Sequence, residues 1–366
     1  MKSEVYCWIF LRKSKIAGSG VFLQTQHRNE QEKVRMQDFD QIVGQGSVIQ
    51  HLQNAIRLGK VSHAYIFEGE EGSGKKLLAG VFAKTLQCEE GKSMSCNHCR
   101  SCMQADTGNQ PDIIRVTHEK ASIGVDDIRL QVNGDIQIKP YHSPYKIYII
   151  DSAEKMTEQA QNALLKTLEE PPEYAVILLL TDNKNKLLPT ILSRSVQLQL
   201  RPVDKQDIKQ FLMEKHQVPD YLAEVSADFS SGNVGKALKY ASSEEFEQMK
   251  GEVLDLLKNI GMMEQSELIS KSKKIASHRE SIMDYIDLML LWYRDVLMLK
   301  ATGKPDLLLY RERYPQIREQ AVVMSYEGIE RCIKAIEQVK LQQKANVNSE
   351  AALELMLLTI KENWNG

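Results

Sequence analysis

No stretch of this 366-residue sequence approaches the ~20 consecutive apolar residues that a membrane-spanning helix needs; the longest apolar runs fall at residues 174–181 and 288–293. A secretory leader is poorly represented too: the apolar residues 5–11 are preceded by Lys2 and Glu4 and followed at once by Arg12 and Lys13. Excess charge of either sign is also missing. Forty-seven Lys and Arg stand against 49 Asp and Glu, a formal net charge of −2, so a surface that attracts nucleic acid as a whole is excluded. Cysteine is sparse, with six residues in all, too few for a disulfide scaffold at this length. Four of the six lie within fifteen residues, which points to the reducing cytoplasm. The composition, 42% hydrophobic and 26% charged, excludes disordered, collagen-like and coiled-coil classes. No internal repeat is apparent.

A chain of this length implies two or three domains. Residues 1–35 carry mixed charge and a Gly18-Ser19-Gly20 turn without sustained periodicity, and read as an extension outside the fold. From there to about residue 201, short apolar runs alternate with helical stretches. Strands are expected at 64–67, 113–116, 146–150, 175–180 and 196–200, and helices at 74–86 and 158–169, the latter stopped by Pro171-Pro172. That alternation predicts an α/β domain built on a parallel sheet. Strands then disappear. Residues 202–245 read as short helices, and 246–366 as longer amphipathic ones whose apolar stripes include Ile282, Tyr285, Ile286, Met289 and Tyr293, then Leu353, Met356, Leu357 and Ile360.

Three groups of residues carry chemistry. The first is Gly69-Glu70-Glu71-Gly72-Ser73-Gly74-Lys75-Lys76, a G-x-x-x-x-G-K phosphate loop between a strand and a helix. Gly69, Gly72 and Gly74 let backbone amides approach a phosphate, and Lys75 can reach the outer phosphates. The eighth position should be a hydroxyl that holds Mg²⁺; here it is Lys76, which cannot ligate a cation. Asp151 ends the apolar strand 146–150 where a carboxylate would face Mg²⁺ or its water. Ser152 follows, where a glutamate would position the attacking water. The loop is compatible with ATP held weakly or without hydrolysis, and efficient turnover is not expected; the plain alternative is that Asp151 merely ends a buried strand.

The second group is Cys88, Cys96, Cys99 and Cys102, spaced C-x₇-C-x₂-C-x₂-C. Four thiolates in one short loop suit a closed tetrahedral Zn²⁺ site in a module spanning 88–102; an iron–sulfur cluster is the rival. His98 is redundant as a ligand. Cys7 is assigned to the extension, and Cys332 to a helix core. The third group is Ser193-Arg194-Ser195, just before the last strand.

These residues, with Val43-Gly44-Gln45, His63-Ala64-Tyr65 and the run Asn162-Ala163-Leu164-Leu165-Lys166-Thr167-Leu168-Glu169-Glu170-Pro171-Pro172, resemble the bacterial DNA polymerase III clamp-loader family, of the delta-prime type, from about Met36 to the C-terminus. Trp292-Tyr293-Arg294-Asp295 fits the family's C-terminal helices. The resemblance implies an AAA+ nucleotide-binding core, a helical lid and a helical collar that joins five subunits in a ring. Partners would be gamma/tau and delta subunits, with the sliding clamp and primer-template DNA reached through the complex. It implies membership of a DNA-directed DNA polymerase holoenzyme in DNA replication. In that family a Ser-Arg-Cys motif aims an arginine finger at the neighbour's ATP; Arg194 matches it, and Ser195 replaces the cysteine. The lid's sensor arginine is replaced at Gly235, beside Lys236. The reading is therefore a largely non-hydrolysing ring subunit. An ATP-hydrolysing gamma/tau-type motor, supported by Lys75 and Asp151, is the alternative, and a zinc-stapled DNA-binding module is a third, disfavoured by the charge.

Overall fold

The computed structural model describes residues 38–364 apart from 92, 280 and 345–347, and these belong to one compact unit. The expected extension 1–35, with Cys7, lies outside the described residues.

The α/β part is organised by five parallel strands in the order β2-β3-β4-β1-β5. They are β1 Ala64–Glu68, β2 Ile113–Arg115, β3 Lys146–Ile150, β4 Ala175–Thr181 and β5 Val196–Gln199. Each expected strand is present, with ends moved by one residue at most. The three central strands read as unbroken apolar runs because both faces of the sheet are covered. Successive side chains point to opposite faces. Ala64, Ile66, Tyr148, Ile150, Ile177 and Leu179 join one apolar cluster, while Tyr65, Phe67, Ile147, Ile149, Val176 and Leu178 join another.

Helix Lys75–Leu86 follows β1, with ten of its twelve residues buried. Helix Glu158–Glu169 starts at Thr157, whose hydroxyl accepts from the Ala160 amide at 3.2 Å, and it ends where Pro171 disfavours a further helical residue.

After β5 the chain is helical. Three short helices, Lys205–His216, Asp220–Phe229 and Val234–Ser242, pack around Val203, Ile208, Leu212, Ala223 and Ala237. Longer helices follow, among them Glu244–Asn259, Gln265–Ser277, Ile282–Thr302, Tyr326–Lys344 and Ser349–Glu362. The anticipated apolar stripes are core: Ile282, Tyr285, Ile286, Met289, Tyr293, Leu353, Met356, Leu357 and Ile360 are all buried in one cluster with Cys332. The Trp292–Asp295 motif has a structural explanation. Trp292 Nε1 donates to Gln320 Oε1 at 2.8 Å, and the fully buried Asp295 accepts from the amides of Leu309 and Tyr310 at 2.7 and 2.8 Å.

Apolar contact does not stop at residue 245. Tyr240 stacks on Phe246 with ring centroids 4.2 Å apart, and Phe229 packs edge-on against Tyr310. Ion pairs reinforce the junction: Lys236 and Lys340 both pair with Asp287, and Lys239 pairs with Asp284, which also accepts from Tyr240 Oη. Among the described residues no helix is long and apolar enough to cross a membrane.

Candidate functional site: a phosphate loop, a thiolate cluster and a surface arginine

The loop Gly69–Lys76 leaves the buried end of β1 and turns into helix Lys75–Leu86. Gly72 and Gly74 have φ of +83° and +91°, a region that side chains with a Cβ rarely adopt, and Gly74 caps the helix. Lys75 is buried and folds back on the loop, donating to the carbonyls of Gly69 at 3.0 Å and Glu70 at 3.2 Å. Burial pushes its ammonium below the ordinary lysine value, against the opposing pull of Asp151, Asp182 and Glu154.

Lys76 turns the other way. Its Nζ lies 2.6 Å from Asp151 Oδ2, with 67% of the lysine side chain and 38% of the aspartate exposed. Asp151 Oδ1 is buried without a hydrogen-bond partner, while Oδ2 is taken by the Lys76 ammonium. Ser152 follows in the left-handed region at φ +52° and opens a short helical turn. The residues present do not fit Mg²⁺: the ligating hydroxyl is missing, and the carboxylate expected to face the metal binds an ammonium. The sequence suggested that Asp151 faces a metal; its partner here is the lysine that removed the metal's other ligand.

One carboxylate near the loop was not anticipated. Glu154 accepts from Thr181 Oγ1 at 2.9 Å and from the Asp182 amide at 3.4 Å, which ties the end of β4 to the turn after β3. Nothing in the local sequence pattern distinguishes Glu154 from a surface residue.

The phosphate loop is also gripped from outside by the helical segment. The Gly235 amide donates to Gly72 O at 2.9 Å, and Asn233 Nδ2 donates to Glu71 O at 2.7 Å. A Cβ on Gly235 would lie 2.7 Å from Gly72 Cα, closer than a backbone atom permits. This gives Gly235 a positive reason beyond the absence of an arginine: the helix sits backbone-to-backbone on the loop. Gly235→Ala is expected to destabilise the protein by about 1–3 kcal/mol, as overpacking against an immovable backbone does. Chemical denaturation measures this, and an unchanged midpoint would show that the two backbones separate freely.

The four expected thiols converge. Cys88, Cys96, Cys99 and Cys102 place their Sγ atoms within 4.8 Å of one another, with Cys96 and Cys102 3.9 Å apart. Tetrahedral Zn–S bonds of about 2.3 Å require sulfurs roughly 3.8 Å apart. Backbone amides of Cys96, Cys99 and Cys102 point at Cys88, Cys96 and Cys99 Sγ at 3.3–3.4 Å, the geometry that supports thiolates. Burial raises the Cys88 and Cys102 thiols above their ordinary range, so a bound cation is needed to hold them as thiolates. The donor set fits zinc. His98 Nε2 lies 2.7 Å from Glu90 Oε1, and the His98, Glu90 and Cys96 donor atoms are within 4.8 Å of one another. The fully buried Lys84 of helix Lys75–Leu86 pairs with Asp106 at 2.6 Å, fastening the end of this module to the sheet domain.

Arg194 lies just before β5, at the N-terminal ends of the strands, whereas the loop leaves β1 at its C-terminal end. Parallel pairing sets Tyr65 against Val196, so Arg194 precedes that level by two residues while Gly69 follows it by four. At about 3.3 Å per residue Gly69 lies roughly 13 Å beyond the level of Val196, and Arg194 precedes that level in the turn before β5, so the arginine and the loop are at opposite ends of the strands. Its guanidinium is partly exposed and held by Glu169 Oε1 at 2.9 Å and the Thr190 carbonyl at 3.1 Å. Ser195 Oγ donates to Ile191 O at 2.9 Å, a local turn contact. Glu169 belongs to the Asn162–Pro172 run, so two motifs singled out separately in the sequence are in contact.

A family model described as DNA polymerase III, delta subunit, matches residues 44–204. The chain is 31% identical over 325 residues to DNA polymerase III subunit delta' of Bacillus subtilis, covering 87% of this chain and 96% of that one. It is also 30% identical over 353 residues to subunit tau of the same organism, covering 87% of this chain and 61% of tau. Among solved structures it is similar to a gamma subunit-related protein of Thermotoga maritima, at TM-score 0.44 and 21% identity, over 86% of this chain and 99% of that one.

Proposed function

The chain belongs to the clamp-loader family of bacterial DNA polymerase III subunits, and on that premise we propose that it is the delta-prime-type member, a ring subunit that does not hydrolyse ATP itself and lends Arg194 to a neighbour. Its AAA+ core, lid and collar correspond to residues 36–201, 202–245 and 246–366. The collar joins it to gamma/tau and delta subunits in a pentamer that loads the sliding clamp onto primer-template DNA.

The observation that carries this reading is the opposed placement of the two sites on one sheet. The phosphate loop opens at the C-terminal ends of the strands, where Lys76 is paired with Asp151. Arg194 stands at the N-terminal ends, away from its own loop. An arginine in that position is useful to a second subunit's nucleotide, where it neutralises the charge that develops on the transferred phosphoryl group.

Within the site the roles divide simply. The glycine loop and Lys75 can hold phosphate groups. Lys76, Ser152 and Gly235 take the positions where a motor subunit needs a metal ligand, a base and a sensor arginine. The thiolate cluster is structural: its four donors close the coordination sphere and leave no position for substrate.

The gamma/tau reading keeps support from the similarity to tau and from Lys75 and Asp151. Turnover by the isolated chain separates the two. No magnesium-dependent ATP hydrolysis above background is expected; hydrolysis that Lys75→Ala abolishes would establish a motor subunit instead.

A further inference from the structure

The residues around Asp151 say more than that a metal ligand is missing. Lys76 occupies the sequence position whose side chain ordinarily touches Mg²⁺, and its ammonium has moved across to the acidic strand, 2.6 Å from Asp151 Oδ2. It therefore bridges the two elements that a divalent cation would bridge. The ammonium is not sequestered, since two-thirds of the side chain is exposed. Lys75, by contrast, is held against the loop carbonyls. Lys75 and Lys76 are also the first two helical positions after Gly74, so their amides have no partner within the helix. The loop thus combines free amide donors with two ammonium groups of different placement. Arg115, opposite Ile149 at the end of β2, adds a positive charge within electrostatic reach of Asp151.

We propose that Lys76 is a tethered cation that replaces the divalent metal of this phosphate loop, so that a nucleoside triphosphate binds there without Mg²⁺. This inference deepens the reading of the loop as a non-hydrolysing site and rests on it. Metal-free ATP carries more negative charge than its magnesium complex, and the Lys76 ammonium meets the excess where the metal would have been. A lysine cannot polarise a phosphoryl oxygen as a divalent ion does, nor hold an ordered water shell. Lys76 thereby serves binding without serving hydrolysis, for which Ser152 and Gly235 also lack the needed groups.

The test is equilibrium binding of ATP to the full chain, measured in Mg²⁺ and again in EDTA with zinc retained. The expected dissociation constants agree within about threefold in the two conditions. Lys76→Thr supplies the hydroxyl and frees Asp151, and should make binding at least about tenfold weaker in EDTA than in Mg²⁺. Lys76→Met keeps length without charge, and should weaken binding in both conditions. Wild-type binding that falls by more than about tenfold in EDTA would overturn the proposal, as would equal metal dependence of wild type and Lys76→Thr. Absence of ATP binding in either condition would also overturn it, while leaving the role of Arg194 untouched, because that is read from a neighbour's hydrolysis.

Discussion

Replacing Arg194 by alanine should leave the subunit folded and able to assemble, yet, on the proposed finger role, slow hydrolysis at the neighbour's ATP site by about 10³-fold or more, the range in which a missing arginine finger is felt. The two halves of this expectation come from different energies. In the free subunit Arg194 pairs with Glu169 at 2.9 Å, and both side chains are well exposed, 36% and 52%. Such surface pairs contribute about 0–1 kcal/mol, so melting should hardly change. In a ring the same guanidinium would lie in a dry site, where a loss of about 4 kcal/mol from the transition state corresponds to the thousandfold effect. Arg194→Lys is expected to recover little, because a point charge cannot reproduce the planar fork. The measurement is single-turnover ATP hydrolysis by the reconstituted loader with the other ATP sites disabled. A wild-type rate from the Arg194→Ala ring would mean that the arginine is a surface residue and nothing more.

Removal of the zinc proposed for the four cysteines should have the second largest effect, this time on stability. The four sulfurs converge in a polar excursion, and the buried part of that excursion rests on Cys88, Cys102 and Ala105. Without a cation, Cys88 and Cys102 become buried neutral thiols and the remaining donors repel or protonate. Structural zinc contributes about 10 kcal/mol or more to small domains that fold only with metal. Here helix Lys75–Leu86 and the Lys84–Asp106 pair retain part of the local order, so a smaller loss of about 3–5 kcal/mol is expected on chelation or in Cys102→Ser. At about 2–4 °C per kcal/mol, melting should fall by roughly 10 °C. ATP binding at the loop should persist, since no cysteine contributes to it. A melting temperature unchanged after metal analysis shows complete zinc removal would exclude a stabilising role. Visible absorbance of the purified protein would favour the iron–sulfur alternative.

The sheet was readable because its central strands are short, mostly apolar and separated by helices, a pattern that few other arrangements produce. Helix Glu158–Glu169 was readable from its proline stop, and the thiolate site from spacing alone. What could not be read was direction. The same apolar run does not reveal which layer Ile66 faces and which Phe67 faces, nor that β5 lies beside β1. Glu154 was missed because its role depends on Thr181, twenty-seven residues away. Gly235 was read only as the loss of an arginine; its close backbone contact with Gly72 was not visible in the sequence.

By itself, then, the sequence determined which chemistry is available: a phosphate loop with a lysine where a metal ligand belongs, four thiols spaced for one ion, and an arginine next to a strand. Local spacing suffices for these because their geometry is set within a few residues. Only the tertiary structure decided what each group faces. Lys76 and Asp151 are seventy-five positions apart in the chain and meet because β3 reaches β1 through β4 in a parallel sheet. The same sheet leaves Arg194 at the N-terminal ends of the strands while the loop opens at their C-terminal ends, since parallel strands place all their C-terminal ends on one side.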